Sequence, residues 1–181
     1  MQISKLAIGI LALLAIGWLT TAASAGPREI DADARATLDE FYNRVGGSRE
    51  LVHRAAGVLV FPTVIKAGFI WGGEYGEGKL FAHGRPPRYY NIVSGSFGFQ
   101  LGAQAKSVII VFMTPEALES FAAKDGWKIG VDGSVAVIVV GVGGDIDTNT
   151  ITSPAVAFIQ DQKGLMYNLT LEGSKISRIY R

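Results

Sequence analysis

The chain has no cysteine, only two histidines, and a formal charge of just +1. Each shortage removes a class of function. Without thiols there is no disulfide framework, no cysteine nucleophile and no thiolate zinc cluster. With 17 basic against 16 acidic residues there is no polycationic footprint for nucleic acid, and no nucleic-acid partner is expected. His53 sits beside Arg54 in a helical stretch and His83 beside Gly84 and Arg85 in a loop, neither with a second histidine at ligand spacing. Hydrolytic and redox chemistry therefore lack their usual groups. The chain reads as non-enzymatic, with no catalytic residue, metal or cofactor assigned.

What is present begins with an apolar N-terminal segment. Lys5 precedes the uncharged run Leu6 to Leu19, and Ala23-Ser24-Ala25 forms a small-x-small site before Gly26. Residues 1–25 read as a cleaved secretory signal peptide. The uncharged stretch continues to Pro27, close to the roughly 20 residues that cross a bilayer, so a retained anchor is the alternative. Its back half, Thr20 to Ala25, is small and polar, which argues for cleavage. Residues 26–181 then form one domain that must hold together by its core alone, in an exported, periplasmic or secreted setting.

The periodicity is first helical and then strand-like. Ile30, Ala34, Leu38, Phe41, Tyr42 and Val45 share one helical arc, Gly46-Gly47 ends it, and Ser48 is placed to cap a second short helix through Leu51 and Val52. Val58 to Phe61 is a continuous apolar strand stopped by Pro62, and Gly72 to Gly78 reads as a turn-rich hairpin. Phe97, Phe99, Leu101 and Ala103 alternate along a strand, Ser107 to Met113 and Val135 to Val140 are apolar on both faces, and Thr114-Pro115 opens a short helix. Ala155 to Gln160, a turn at Asp161 to Gly164, and the alternating Leu165 to Leu171 form a closing hairpin, followed by a last strand or tail from Lys175 to Tyr180. Helices gathered at the N-terminus and short strand connections predict an α+β fold. Doubly apolar strands need cover on both sides, so the sheet is expected to be antiparallel and curled, barrel-like or sandwich-like, with one inserted short helix.

Three constellations could carry chemistry. Asp145 and Asp147 form a close carboxylate pair among glycines, and with His83 they are the material for a metal-dependent hydrolase, but further ligands are missing. Gly72 to Gly78 fails as a phosphate loop because Gly78-Lys79-Leu80 leads into a strand rather than a helix. The third is a charge asymmetry. Between Glu77 and Glu116 there is no acidic residue, while Lys79, Arg85, Arg88 and Lys106 fall there with His83, Tyr89 and Tyr90. Arginine forks suit phosphate and tyrosines suit a half-wet interface, so an anionic headgroup is the matching ligand. A loop whose positive charges are merely solvated is the bland alternative.

Several motifs recur in a known order. Ala56-Gly57-Val58-Leu59-Val60-Phe61-Pro62, Lys66-Ala67-Gly68-Phe69, Gly72 to Gly78, Gly98 to Gln104, Lys163-Gly164-Leu165 and Leu171-Glu172-Gly173-Ser174 together cover most of residues 50–176. In this the chain resembles the SYLF domain family. The resemblance implies a lipid-binding module: eukaryotic relatives bind phosphoinositides and act with Src-homology-3 or FYVE partners in membrane trafficking and actin-patch assembly, whereas bacterial relatives are small exported proteins. The chain departs from the family at Tyr89-Tyr90-Asn91-Ile92, where Trp-Ser-x-Pro is common, and at Gly141-Val142-Gly143-Gly144, where Gly-Pro-x-Gly is frequent. Headgroup preference therefore does not carry over, and the actin-binding extension of fungal relatives has no counterpart in the sequence.

The expectation is an exported protein peripherally associated with an anionic phospholipid membrane. Lys66, Lys79, Arg85 and Arg88 are assigned to phosphate, and Trp71, Tyr89 and Tyr90 to the interface. A protein-interaction or structural module of the envelope, docking a partner protein without lipid specificity, is the alternative.

Overall fold

The computed structural model describes residues 26–68, 71–97, 102–140, 152–164 and 171–181. The expected signal peptide at 1–25, the carboxylate pair Asp145 and Asp147, and most of the alternating arm Leu165 to Leu171 lie outside these residues. Two helices come first, α1 (Pro27–Arg44) and α2 (Ser48–Arg54), and a third, α3 (Pro115–Ala123), follows the fourth strand. The strands are β1 (Gly57–Gly68), β2 (Trp71–Ala82), β3 (Arg88–Phe97), β4 (Gly102–Phe112), β5 (Trp127–Lys128), β6 (Ala136–Val139), β7 (Ala155–Gly164) and β8 (Lys175–Ile179). They form one curled sheet in the order β5-β8-β3-β2-β1-β4-β7-β6. The fold is α+β, as the patterning predicts. The edge pair β6–β7 is parallel, whereas the other pairings are antiparallel.

Each central strand buries two faces because its apolar residues run without a polar partner. In β1, Val58 and Val60 pack under α1 and α2 with Phe41, Leu51, Ile109 and Phe158. Their neighbours Leu59 and Phe61 face the other way, with Val108, Ile110 and Phe112. This second, inner face also gathers Trp127 and Ile176 from one end of the strand order and Ala155 and Ala157 from near the other. The sheet curls toward that side. Phe121 of α3 fills the curl, with ring centroids 4.8 Å from Phe112, 4.9 Å from Tyr90 and 5.5 Å from Trp127. Thr114 caps α3 by accepting from the Ala117 N–H at 3.2 Å, as its place before Pro115 suggests.

Several local expectations are corrected. Pro62 does not stop β1: it sits where the pairing register shifts against both neighbours, at a bulge that needs no proline N–H. The glycines from Gly72 to Gly78 are not a turn but lie along β2, where Gly76 and Gly78 face that bulge. A Cβ on Gly76 would stand 2.7 Å from the Thr63 carbonyl oxygen, and one on Gly78 2.6 Å from the Phe61 ring and against the Val60 carbonyl. Asp161 to Gly164 continue β7, and Asp161 takes φ of 57° at a register shift. There its carboxylate meets Arg44 at 2.5 Å and accepts from Ser107 at 3.3 Å, tying the end of α1 to the sheet. Ser48 does not cap α2; its hydroxyl donates back to the Val45 carbonyl at 2.6 Å, and Gly47, at φ of 76°, holds the N-cap position ahead of α2. Finally, β6 is an edge strand with Val137 and Val139 turned partly to solvent rather than a doubly buried one.

Candidate functional site

The N-terminal helices leave part of their sheet face open. Between α1, α2 and the paired ends of β1 and β2 lies a cleft of about 430 Å³. Leu38, Tyr42, Val52, Val58 and Phe81 give it apolar walls, Arg35, Lys79 and Arg85 give it cations with the His83 ring beside them, and none of the described residues lining it is acidic. Helical spacing sets Asp31, Arg35, Leu38 and Tyr42 along one stripe of α1. Strand alternation brings Lys79 and Phe81 of β2 to the same side. The loop after Ala82 carries His83 and Arg85 to the rim, turning through Gly84 at φ of 69°.

Lys79 is held, not loose. Its ammonium sits 2.7 Å from Asp31 Oδ1, with the lysine side chain 7% and the aspartate 28% exposed. The Tyr89 hydroxyl donates to the same oxygen at 3.0 Å. Burial pushes the Asp31 carboxyl up, but the hydrogen bonds from Lys79 and Tyr89 and the charges of Lys79 and Arg35 outweigh it and hold it below the usual carboxylate value. Burial, then the Asp31 hydrogen bond and charge, raise the Tyr89 hydroxyl. The Lys79 ammonium also lies 5.2 Å from the Phe81 ring centroid and 6.0 Å from that of Tyr89. Together these contacts clamp α1 onto β2. Arg85 is freer: it meets Glu119 of α3 at 3.5 Å, a pair whose glutamate is two-thirds exposed. Arg35 and His83 stand exposed at the rim.

The seven residues assigned from the sequence do not form one site. Lys79, Arg85 and Tyr89 come together at the cleft or just behind it. Arg88 pairs with Leu80 and so belongs to the inner face, where its Nε is buried without a hydrogen-bond partner. Tyr90 is not interfacial: it is 3% exposed and packs on Phe121, because strand alternation turns it opposite to Tyr89. Lys66 and Trp71 lie at the far end of the sheet, Lys66 buried on the inner face and Trp71 76% exposed. The sequence reading missed Arg35 and the apolar wall from α1. The signal was present only as the stripe Asp31, Arg35, Leu38 and Tyr42, and nothing local says that it faces β2. Among the described residues no three metal-ligating side chains cluster, and no helix is long and apolar enough to cross a membrane.

Residues 93–179 match the family model described as Ysc84, Las17-binding protein actin regulator. The SH3 domain-containing YSC84-like protein 1 of Xenopus laevis is 30% identical over 129 residues, covering 68% of this chain and 38% of that protein. The protein of the same name from Bos taurus is 29% identical over 131 residues, with 68% and 38% covered, and that from Homo sapiens 28% over 131 residues, with 68% and 37% covered. The chain thus spans less than two-fifths of the length of these relatives.

Proposed function

The chain belongs to the SYLF domain family, and from that premise we propose that it is a non-enzymatic module that binds anionic phospholipid through the helix-side cleft. The carrying observation is the pairing of an apolar wall with a cationic rim free of lining carboxylates. Arg35, His83 and Arg85 engage the headgroup phosphate, arginine by its fork, while Leu38, Tyr42 and Val52 contact the glycerol and first acyl carbons. Lys79 is neutralised by Asp31 and serves to hold the cleft rather than to bind the phosphate. Export through residues 1–25 and work at the surface of an envelope membrane belong to the same proposal.

The test is flotation of the full chain with phosphatidylcholine vesicles, with and without phosphatidylglycerol, at low and high salt. Arg35→Gln with Arg85→Gln is compared with the unaltered chain, so that any contribution of residues 1–25 is common to both. Each cation near an anionic surface contributes about 1 kcal/mol, so the pair lowers affinity roughly 25-fold at low salt and less at high salt. Unchanged flotation of the double variant overturns the cleft assignment.

One observation favours a second reading, a protein-docking surface. Ile65, Tyr75 and Val93 lie side by side across β1, β2 and β3 and are 54%, 47% and 43% exposed. This apolar row suits a protein partner. A partner that co-purifies with the unaltered chain and is lost on Ile65→Lys, with flotation unchanged, would select that reading.

A further inference from the structure

The inner face of the sheet changes character beyond Val64 and Val108. Lys66 on β1, Glu74 on β2, and Gln104 and Lys106 on β4 are 6%, 4%, 3% and 3% exposed. The pairing sets Lys66 between Glu74 and Gln104, and sets Ser94 of β3 beside Glu74. Strand alternation from Val64, Leu80, Ile92 and Val108 turns all five side chains to the inner face. The result is a buried polar patch continuous with an apolar core.

Its internal pairing is incomplete. Lys106 Nζ meets Glu74 Oε1 at 2.7 Å, an ion pair out of line for a directed hydrogen bond. The Ser94 hydroxyl donates to the other Glu74 oxygen at 3.2 Å. Glu74 is thereby engaged on both oxygens. Lys66 has no carboxylate at ion-pair distance among the described residues, and neither the oxygen nor the nitrogen of the Gln104 amide has a hydrogen-bond partner there. A buried primary amide with no partner among the described residues, beside a lysine that no carboxylate there neutralises, is costly unless something completes it.

We propose that this patch is a binding site for a singly charged oxyanion of the phosphodiester class. Two lysines against one glutamate leave a single positive charge to match. Lys66 offers three N–H donors and Gln104 two, enough to reach both non-bridging oxygens of a phosphodiester. The Gln104 carbonyl oxygen is left to accept from a hydroxyl on the esterified group. Lys106 and Ser94 orient Glu74, which keeps a second anionic charge out. The site lies on the opposite face of the sheet from the cleft and does not depend on it.

The experiment uses the ¹⁵N-labelled full chain and follows the Gln104 side-chain amide, identified by its disappearance in Gln104→Met. Three probes are titrated at matched ionic strength: glycerophosphoglycerol, inorganic phosphate, and vesicles containing phosphatidylglycerol. The expected result is a saturable shift of that amide with the diester, weakened about tenfold or more in Lys66→Met and unaffected by Arg35→Gln with Arg85→Gln. Saturation by the soluble diester assigns a free ligand, whereas saturation by vesicles alone assigns a lipid headgroup. Thermal melting supplies a second readout. Lys66→Met is expected to melt no lower than the unaltered chain without probe and to lose the rise in melting temperature that the probe brings. No saturable shift with any probe, an equal shift in Lys66→Met, or a lower melting temperature of Lys66→Met without probe would each overturn the site.

Discussion

The clamp between Asp31 and Lys79 gives the most exacting test of how α1 is held. Asp31→Asn removes the negative charge and leaves an ammonium that is 7% exposed facing a neutral amide and the rings of Phe81 and Tyr89. Removing one partner of a fully buried pair costs about 3–5 kcal/mol. Because the aspartate is 28% exposed, water relieves part of this, and a loss of about 2–3 kcal/mol is expected. For a fold of this size that lowers the melting temperature by about 5–10 °C. Urea unfolding measures it directly as a shift in midpoint at constant slope. Lys79→Met costs a similar amount, and the double variant costs less than the sum by more than about 1 kcal/mol, since the two changes remove one interaction. The pH dependence follows from the sign of the shift. The Asp31 carboxyl is held below its unfolded value, so its contribution is complete above that unfolded value, about pH 4, and is lost as pH falls through the lower folded one. The gap between the unaltered chain and Asp31→Asn is therefore constant near neutrality and closes in acid. A neutral-pH gap below about 0.5 kcal/mol, the range of ordinary surface changes, or a gap that persists unchanged in acid, would refute the clamp.

Two further outcomes test the sheet and its core. Gly78→Ala drives a methyl against the Val60 carbonyl and the Phe61 ring at the bulge, and backbone cannot give way as a side chain can. It is expected to lower stability by about 1–3 kcal/mol in urea unfolding, whereas Gly73→Ala, with open space around its Cβ, stays within about 0.5 kcal/mol. Phe121→Ala removes the ring that meets Phe112, Tyr90 and Trp127 and costs about 3–5 kcal/mol. The near-ultraviolet circular dichroism should change with it, because the aromatic cluster loses its centre.

Some of this was legible in the sequence and some was not, for definable reasons. The period of 3.6 in Ile30, Ala34 and Phe41 and the doubly apolar runs of β1 and β4 report burial directly, so the helices, the central strands and the two-sided cover could be read from composition along the chain. Glycine and proline mislead where they serve tertiary contacts. Pro62 and Gly78 look like breakers, yet one occupies the bulge and the other lets the neighbouring strand approach it. Asp161 looks like part of a turn because aspartate tolerates positive φ, but the strand carries on past it. Ser48 has the residue type of a cap for the helix that follows and instead binds carbonyls of the helix before. In each case the local residue preference was met, and a distant segment decided which way it was used.

The basic stretch shows how such a decision separates residues that are neighbours in sequence. Along the chain, Lys79, Arg85, Arg88 and Lys106 with Tyr89 and Tyr90 form one acid-free run, which suggests one cationic patch. The pleat has a period of two, so it deals these residues to opposite faces. Lys79 and Tyr89 fall under α1 and combine with Arg35, which lies far away in sequence. Arg88, Tyr90 and Lys106 fall on the inner face, where Lys106 meets Glu74 and stands near Lys66 and near Gln104, whose amide has no partner among the described residues. A linear excess of charge thus becomes two chemically different places: a rim where arginines meet solvent, and a buried patch of lysines, a glutamate and an amide that has no partner among the described residues. The first is governed by long-range field and weakens with salt, while the second is governed by desolvation and hydrogen-bond geometry and depends little on it. The salt dependence of vesicle flotation and that of the Gln104 amide shift should therefore differ, and equal salt dependence in the two measurements would mean that one site produces both signals.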